Sequence, residues 1–230
     1  MTNELLESFY INHINQKIKC NGQAFQDLFV LSANKYKNDG YFIEIGSAWP
    51  IHVNNTFILE HYFNWKGIMI EYNKEYLQSY ILHRSNSIHV MEDATLIDYK
   101  SLFANNNVPQ NVDYLQIDLE VSNKSTITLL EIFDKDIFDK YTFGVITFEH
   151  DYYTGDYYDT RYKSRQILHK RGYVLLYPDI SLYSDTDYKS FEDWWVHPDL
   201  IDSEYIKKHY NKVNNHNYAN YVVSNIVEFN

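Results

Sequence analysis

The sequence predicts an α/β domain built on a largely parallel sheet, and three observations carry this expectation. Short apolar runs alternate with stretches of helical spacing between residues 41 and 177, the pattern of β-α-β units. The runs are continuously apolar, as strands are when helices cover both faces of their sheet. Five successive runs end in carboxylates, while the strand interiors carry almost none.

The elements follow in order. Residues 1–38 read as helical: Leu5, Phe9, Ile11 and Ile14 give one rough helical period, and Ala24, Phe25, Leu28, Phe29 and Leu31 give another. Asn38-Asp39-Gly40 ends the helix, and a strand begins at once at Tyr41 and runs to Gly46. Helical spacing returns over Thr56–Phe63, and Gly67–Glu71 is the next strand. Lys74–Arg84 is a helix, Ser87–Met91 a strand and Ile97–Ala104 a short helix, followed by the loop 105–109. Val112–Asp118 is a strand. Ser125–Phe133 is a helix with Ile127, Leu130 and Ile132 to one side. Phe143–Glu149 is a strand, Tyr162–Lys170 a helix capped by Gly172, Tyr173–Tyr177 a strand and Trp194–Val196 another. From Ile201 the chain is polar and Asn-rich, with one last apolar piece at 221–223. The organisation expected is a single domain, with residues 1–40 a helical segment packed on a core of 41–230.

Composition bounds the function. At 230 residues, 45% hydrophobic and 17% aromatic, the chain can bury a sizeable core, which excludes wholesale disorder. A net charge of -11 lacks the bulk basic character of a nucleic-acid or anionic-membrane binder, so neither partner is expected. The lone Cys20 cannot form an internal disulfide, which fits a reducing compartment. Met1-Thr2-Asn3-Glu4 shows no basic leader, and no run approaches the ~18 apolar residues of a spanning helix. The expected location is cytoplasmic.

In such sheets ligands bind beyond the carboxyl ends of the strands, where strand order reverses. The strand ends here carry Glu44-Ile45-Gly46-Ser47-Ala48, Glu71, Glu92-Asp93-Ala94, Asp118-Leu119-Glu120 and Glu149-His150-Asp151. Gly46 lets backbone approach a ligand, and Glu71, at the next strand end, suits the two hydroxyls of a ribose. One glycine stands where a dinucleotide turn needs three, and there is no P-loop. A cofactor with a ribose and no phosphates fits better, and S-adenosylmethionine is the common one.

These residues resemble the FkbM family of methyltransferases. The resemblance rests on Phe42-Ile43-Glu44-Ile45-Gly46-Ser47-Ala48, Asn55-Thr56, Leu59-Glu60, Trp65–Glu71, Asp113–Glu120 and Val145–His150, and spans roughly 41–200. It implies the class I S-adenosylmethionine fold, a mostly parallel seven-stranded Rossmann-like sheet with the last strand antiparallel and helices on both faces. It also implies O-methyl transfer to hydroxyls of sugars or polyketides. The implied cofactor residues are Glu44, Gly46, Ser47, Glu71, Tyr72, Asp93, Ala94 and Asp118. Glu44 would order the first loop, Ser47 would reach the amino-acid end and Asp93 the adenine amino group.

Asp118, Glu120, Glu149 and His150 are the candidates for chemistry, because a sugar hydroxyl must lose its proton as its oxygen attacks a methyl group. Three carboxylates so close can also hold Mg²⁺, but no compact metal motif is present and a metal is not favoured. Tyr152 and Tyr153 open a Tyr-rich segment, 152–159, that suits the C–H faces and hydroxyls of a sugar. Trp195 and His197 are read as further walls of that mouth. Three rivals stay open. Tyr62 and Lys66 form the Y-x-x-x-K of a nicotinamide-dependent oxidoreductase or epimerase. Asp134-Lys135-Asp136 and Asp185-Thr186-Asp187 are the D-x-D runs of a glycosyltransferase. The third is a module that keeps the fold and binds without catalysis.

Overall fold

The first landmark of the computed structural model is a short hairpin where helix was expected. The model describes residues 10–13, 16–155, 157–182, 189–210 and 217–227. Strands β1 (Tyr10–His13) and β2 (Gln16–Lys19) pair antiparallel with Ile11 opposite Ile18. Both isoleucines are buried, while Lys17 and Lys19 are exposed; the period there is two, not 3.6. Leu5, Phe9 and Ile14, part of the expected helical pattern, lie outside the described residues. Among the described residues of this segment, helix persists only over α1 (Gln26–Ala33), every residue of which is buried.

The alternating units then appear in the expected order: β3 (Tyr41–Ile45), α2 (Phe57–Phe63), β4 (Lys66–Ile70), α3 (Leu77–His83), β5 (Ile88–Val90), α4 (Tyr99–Asn105), β6 (Asn111–Ile117), α5 (Ser125–Asp136), β7 (Thr142–Glu149), α6 (Tyr158–Lys170) and β8 (Val174–Ser181). Single 3-10 turns at Lys74–Tyr76 and Ala94–Leu96 precede α3 and α4. Strand β9 (Ser190–Val196) starts four residues before the apolar run that announced it. Glu192 and Asp193 sit buried within it, and acids inside a strand hide it from a hydrophobicity reading. The polar tail supplies α7 (Ser203–His209), the two-residue β10 (Asn217–Tyr218) and α8 (Ala219–Val227). The Asp202 side chain caps α7 by accepting the Glu204 N–H, and Val222, Val223 and Ile226 of α8 are buried.

The eight-stranded sheet runs β10-β8-β9-β7-β6-β3-β4-β5. Strands β3 to β7 are mutually parallel, and β9 is antiparallel to both neighbours, β7 and β8. The seven longer strands match the expected mostly parallel sheet with its last strand reversed; β10 adds a short parallel edge to β8. Successive strand residues point to opposite faces. Phe42, Met69, Tyr114, Val145 and Trp194 pack on one side with α1, α2 and α8. Ile43, Ile68, Leu115, Ile146 and Trp195 pack on the other with Tyr99 and Phe103 of α4, Leu130 and Phe133 of α5, and Leu168 of α6. Two covered faces are the reason the strands read as unbroken apolar runs. No helix among the described residues is long and apolar enough to cross a membrane.

Candidate cofactor and acceptor site

Strand order reverses between β3 and β6: the chain leaves β3 toward β4 on one side and leaves β6 toward β7 on the other. The two strand ends are pressed together there. Gly46 has φ 82 and donates its N–H to the Ile70 carbonyl. A Cβ on Gly46 would stand 1.7 Å from the Asp118 carbonyl oxygen. Beside this contact opens a cavity of about 310 Å³, lined by Gly46, Glu71, Tyr72, Asp93, Ala94 and Glu120 among others. A groove along Tyr72, Asn73, Lys74, Met91, Asp93 and Leu96 continues it outward. The cavity wall carries four acids, Glu71, Glu92, Asp93 and Glu120, and among the described residues no Lys, Arg or His.

The wall acids are held by their own loops. Glu71 accepts the N–H of Ala48 (2.9 Å) on one oxygen and that of Asn73 (2.8 Å) on the other. A carboxylate has about four lone-pair sites, so this leaves acceptors for a diol. Asp93 takes the Thr95 N–H and hydroxyl on Oδ1 alone, and these bonds hold its pKa below the ordinary value. Ala94 is buried behind it, and Tyr72 stands at the rim, 75% exposed. Glu120 accepts from the hydroxyl and N–H of Ser122, which lower its pKa, and is exposed.

Two expected cofactor residues turn inward instead. Glu44 is fully buried. It accepts from Thr56 Oγ1 (2.8 Å) and Asn54 Nδ2 (3.2 Å) and lies 4.0 Å from Arg84. Arg84, also fully buried, donates to Glu60, Asn54, Thr56 and the Pro50 carbonyl. Glu44 therefore orders the loop 47–56 through side chains, from behind the cavity wall. Burial, only partly offset by Arg84, raises its pKa to about 7. Ser47 is buried too, with its hydroxyl against Tyr80 and the Ile70 carbonyl, and it does not line the cavity.

The candidates for chemistry divide in the same way. Asp118 and Glu149 follow Ile117 and end β7, on adjacent strands paired Ile117 to Phe148, and they hydrogen-bond to each other. Two carboxyl groups can do so only by sharing a proton. Burial first, then the charge of Asp118, pushes the pKa of Glu149 far up; burial and the charge of Glu71 raise that of Asp118. The pair thus holds one proton between its two carboxyl groups, and both ionise above the ordinary carboxylate range. Asp151, with φ 45, joins the pair, its pKa raised by burial and by Asp118. Glu192, opposite Glu149 on β9, stands behind them. Asp151 was visible as a strand-end acid but was not singled out, and Glu192 gave no sequence signal because β9 was not read that far.

His150 does not join them. It is fully buried, with Nε2 3.5 Å from Asp193 and 3.7 Å from Asp179. Arg165 forks onto Asp193 at 2.7 Å through both nitrogens, and Arg161 onto Asp179. The spacing of His150, Asp179 and Asp193 is that of metal ligands. Yet each near oxygen already takes an Arg165 contact and further donors, from Asp179 N–H on Asp193 and from Ser190 on Asp179. Guanidinium groups fill the place of a cation. The network pins the turn 150–153, whose N–H groups reach the Phe191 and Ser190 carbonyls.

The strand order, with one reversed strand near its end, is that of the class I methyltransferases. The chain has this fold. Similar solved structures include a Clostridium thermocellum protein described as an rRNA methylase, 10% identical over 76% of this chain and 97% of its own, with a TM-score of 0.49. A TehB-like S-adenosylmethionine-dependent methyltransferase from Corynebacterium glutamicum is 7% identical over 75% and 87%, also at 0.49. A Streptococcus mutans protein described as a methyltransferase, solved in complex with S-adenosylhomocysteine, is 13% identical over 74% and 96%, at 0.46. No family model and no curated protein matches the chain.

The methyltransferase fold also disposes of several expected contacts. Because β9 is antiparallel, Trp195 pairs with Ile146 and the His197 N–H reaches the Gly144 carbonyl, both toward the sheet edge away from Glu149. Trp195 is fully buried against His169. Neither Trp195 nor His197 walls the acceptor mouth. Tyr152 and Tyr153 do lie exposed beyond β7, with the Arg161 guanidinium 5.2 Å over the Tyr152 ring. Lys66 opens β4 at the end of the sheet opposite the cavity, so the Tyr62–Lys66 pair cannot serve a ligand there. On α5, Asp134 is bound by Arg171 and Asp136 by Lys100 of α4. Asp185 and Asp187 lie outside the described residues, as does Asp156 of the Tyr-rich segment.

The stacked buried acids make stability pH-dependent. Glu192 accepts from Gln26 (2.8 Å) and Trp194 (2.6 Å) on one oxygen, and burial raises its pKa to about 8. In the unfolded chain it ionises near the ordinary glutamate value of 4.5. Between those values the folded state holds a proton that the unfolded state has released, so its contribution is present at low pH and lost as pH rises toward 8. Glu192→Gln keeps the accepting oxygen and removes the ionisation. It should stabilise the fold by on the order of 2–4 kcal/mol at pH 9 and by little at pH 5. Urea midpoints at the two pH values measure this; equal gains at both would refute it.

Proposed function

We propose that this chain transfers a methyl group from S-adenosylmethionine to a hydroxyl of a sugar or glycan. The observation that carries the cofactor reading is the cavity at the reversal point, walled by four acids and, among the described residues, by no cation, with Lys74 only in the groove beyond it. A pyrophosphate would bring negative charges against those acids, whereas a sulfonium nucleoside brings a positive charge and no phosphate. Glu71 accepts from the ribose hydroxyls, Asp93 offers its spare oxygen to the adenine amino group, and Tyr72 and Ala94 flank the base. Gly46 leaves room for the amino-acid end. When bound, the cofactor supplies an electrophilic methyl group.

The acceptor reading rests on the motifs shared with the FkbM family and on the acids beyond β6 and β7. Asp118 is the base that takes the hydroxyl proton, and Glu149, which shares the pair's proton, orients it and lowers its charge. Glu120 and Asp151 add to a field that favours the sulfonium. Tyr152 and Tyr153 give the acceptor rigid rings with polar tips. A polyanionic acceptor would meet the same acids, so RNA and DNA are poor candidates.

Titration calorimetry with S-adenosylmethionine, NAD and a nucleotide-sugar tests the cofactor reading. Only the first should bind, and Glu71→Ala should weaken it by about 1.5–3 kcal/mol, the usual worth of hydrogen bonds to a charged group. Binding of NAD in preference, or unchanged affinity in a folded Glu71→Ala variant, would overturn it.

A further inference from the structure

We propose that Tyr80 is a positioning residue: its hydroxyl holds the backbone of the cofactor loop at Ala48 and thereby aims the carboxylate of Glu71. The inference rests on the S-adenosylmethionine reading above. Tyr80 lies on α3, is fully buried, and lines no part of the cavity. Its hydroxyl lies 2.9 Å from Ser47 Oγ and hydrogen-bonds the Ala48 carbonyl. A carbonyl oxygen can only accept, so the Tyr80 proton goes to Ala48, and the single Ser47 Oγ–H is shared between the Tyr80 oxygen and the Ile70 carbonyl, 3.3 Å away.

Ala48 needs a holder. Its φ of 46 lies in the left-handed region, which a residue with a Cβ resists. Its N–H donates to Glu71 Oε2 at 2.9 Å. One residue is thus gripped at both polar groups, by Tyr80 on the carbonyl and by Glu71 on the N–H. If the first grip is released, the strained residue can relax and Glu71 loses a donor that fixes its orientation.

Tyr80 itself cannot drift. Its ring lies 6.2 Å from Tyr76 in a stacked arrangement and 5.4 Å from His89. The C-cap of its helix is Arg84, tied to Glu60, Asn54 and Thr56. Burial raises the phenol pKa, so it stays a donor across the working pH range. Trp49 follows Ala48, rests on Tyr76 at 5.2 Å and is 57% exposed, whereas Trp65, Trp194 and Trp195 are fully buried. Its emission therefore reports the order of this loop.

The test is Tyr80→Phe, which removes the hydroxyl and keeps the ring. By calorimetry its affinity for S-adenosylmethionine and for S-adenosylhomocysteine should both fall about tenfold, as the loss of one buried hydrogen bond allows, because the ribose is common to the two. Trp49 emission of the ligand-free variant should shift to the red. Tyr173→Phe is the control. Its hydroxyl accepts the Phe143 N–H in the core toward the far end of the sheet, so that variant should lose stability yet bind like the wild type with unshifted emission. Wild-type affinity and unshifted emission in Tyr80→Phe, or equal losses of affinity in both variants, would overturn the assignment. A wild-type protein that binds neither ligand would instead sink the cofactor reading, and the Trp49 shift would still decide the role of Tyr80.

Discussion

Alanine at Gly46 should destabilise the fold by roughly 2–6 kcal/mol and abolish cofactor binding. The magnitude combines a left-handed backbone, costing about 1–3 kcal/mol for a residue with a Cβ, with overpacking of about 1–3 kcal/mol. The new Cβ would meet the Asp118 carbonyl oxygen at 1.7 Å and its carbon at 2.8 Å, and backbone cannot swing aside as a side chain can. Either β3 must withdraw from β6, breaking the Asp118 N–H bond to the Ile45 carbonyl, or the turn must change hand. Both alter the cavity wall. Urea unfolding gives the first quantity and calorimetry with S-adenosylmethionine the second. A Gly46→Ala protein with native stability and affinity would show that the two strand ends are not in contact.

Asp118→Asn should cut kcat by about 10²–10⁴-fold, the range for a positioned proton acceptor. Cofactor affinity should change far less, since the amide keeps the shape of the side chain and the backbone at Gly46 is untouched. This split is the pattern of an interaction made mainly in the transition state. The wild-type rate should carry the signature of the shared proton. Burial and the charge of Glu71, only partly offset by the hydrogen bond from Glu149, raise the pKa of Asp118, so it becomes a competent base only as pH rises, and kcat should climb with pH through that ionisation. Asp118→Asn should lose this limb of the profile. Tritium transfer from S-adenosylmethionine to neutral oligosaccharides measures both. Retention of near-normal kcat and of the pH limb would move the base elsewhere.

How much of this was legible beforehand depends on the range of the forces involved. The parallel core, β3 to β8 with its intervening helices, was readable because burial on two faces writes an unbroken apolar run into each strand. The turn at Gly46 and the acids Glu71, Asp93 and Asp118 were readable because strand ends in such a sheet must face one edge. The hairpin at Tyr10–Lys19 was not, since two strands of four residues each are too short to carry a clear period. Strand β9 was half hidden because Glu192 and Asp193 look like loop residues until Gln26, Trp194 and Arg165 are brought against them from distant parts of the chain.

Sequence alone thus determined the fold class, the edge of the sheet at which the candidate site lies, and the acids available there. Only the tertiary structure decided which groups work together. Glu149 and His150 are adjacent in the chain, yet one faces Asp118 and the other is drawn into the Arg161 and Arg165 network. Trp195 and His197 were expected at the mouth, but β9 runs backwards and carries them toward the other edge. The physical reason is the same in each case. Periodicity and strand-end chemistry are local and survive in one dimension, whereas the direction of a strand and the partner of a buried charge are settled by residues far away in sequence.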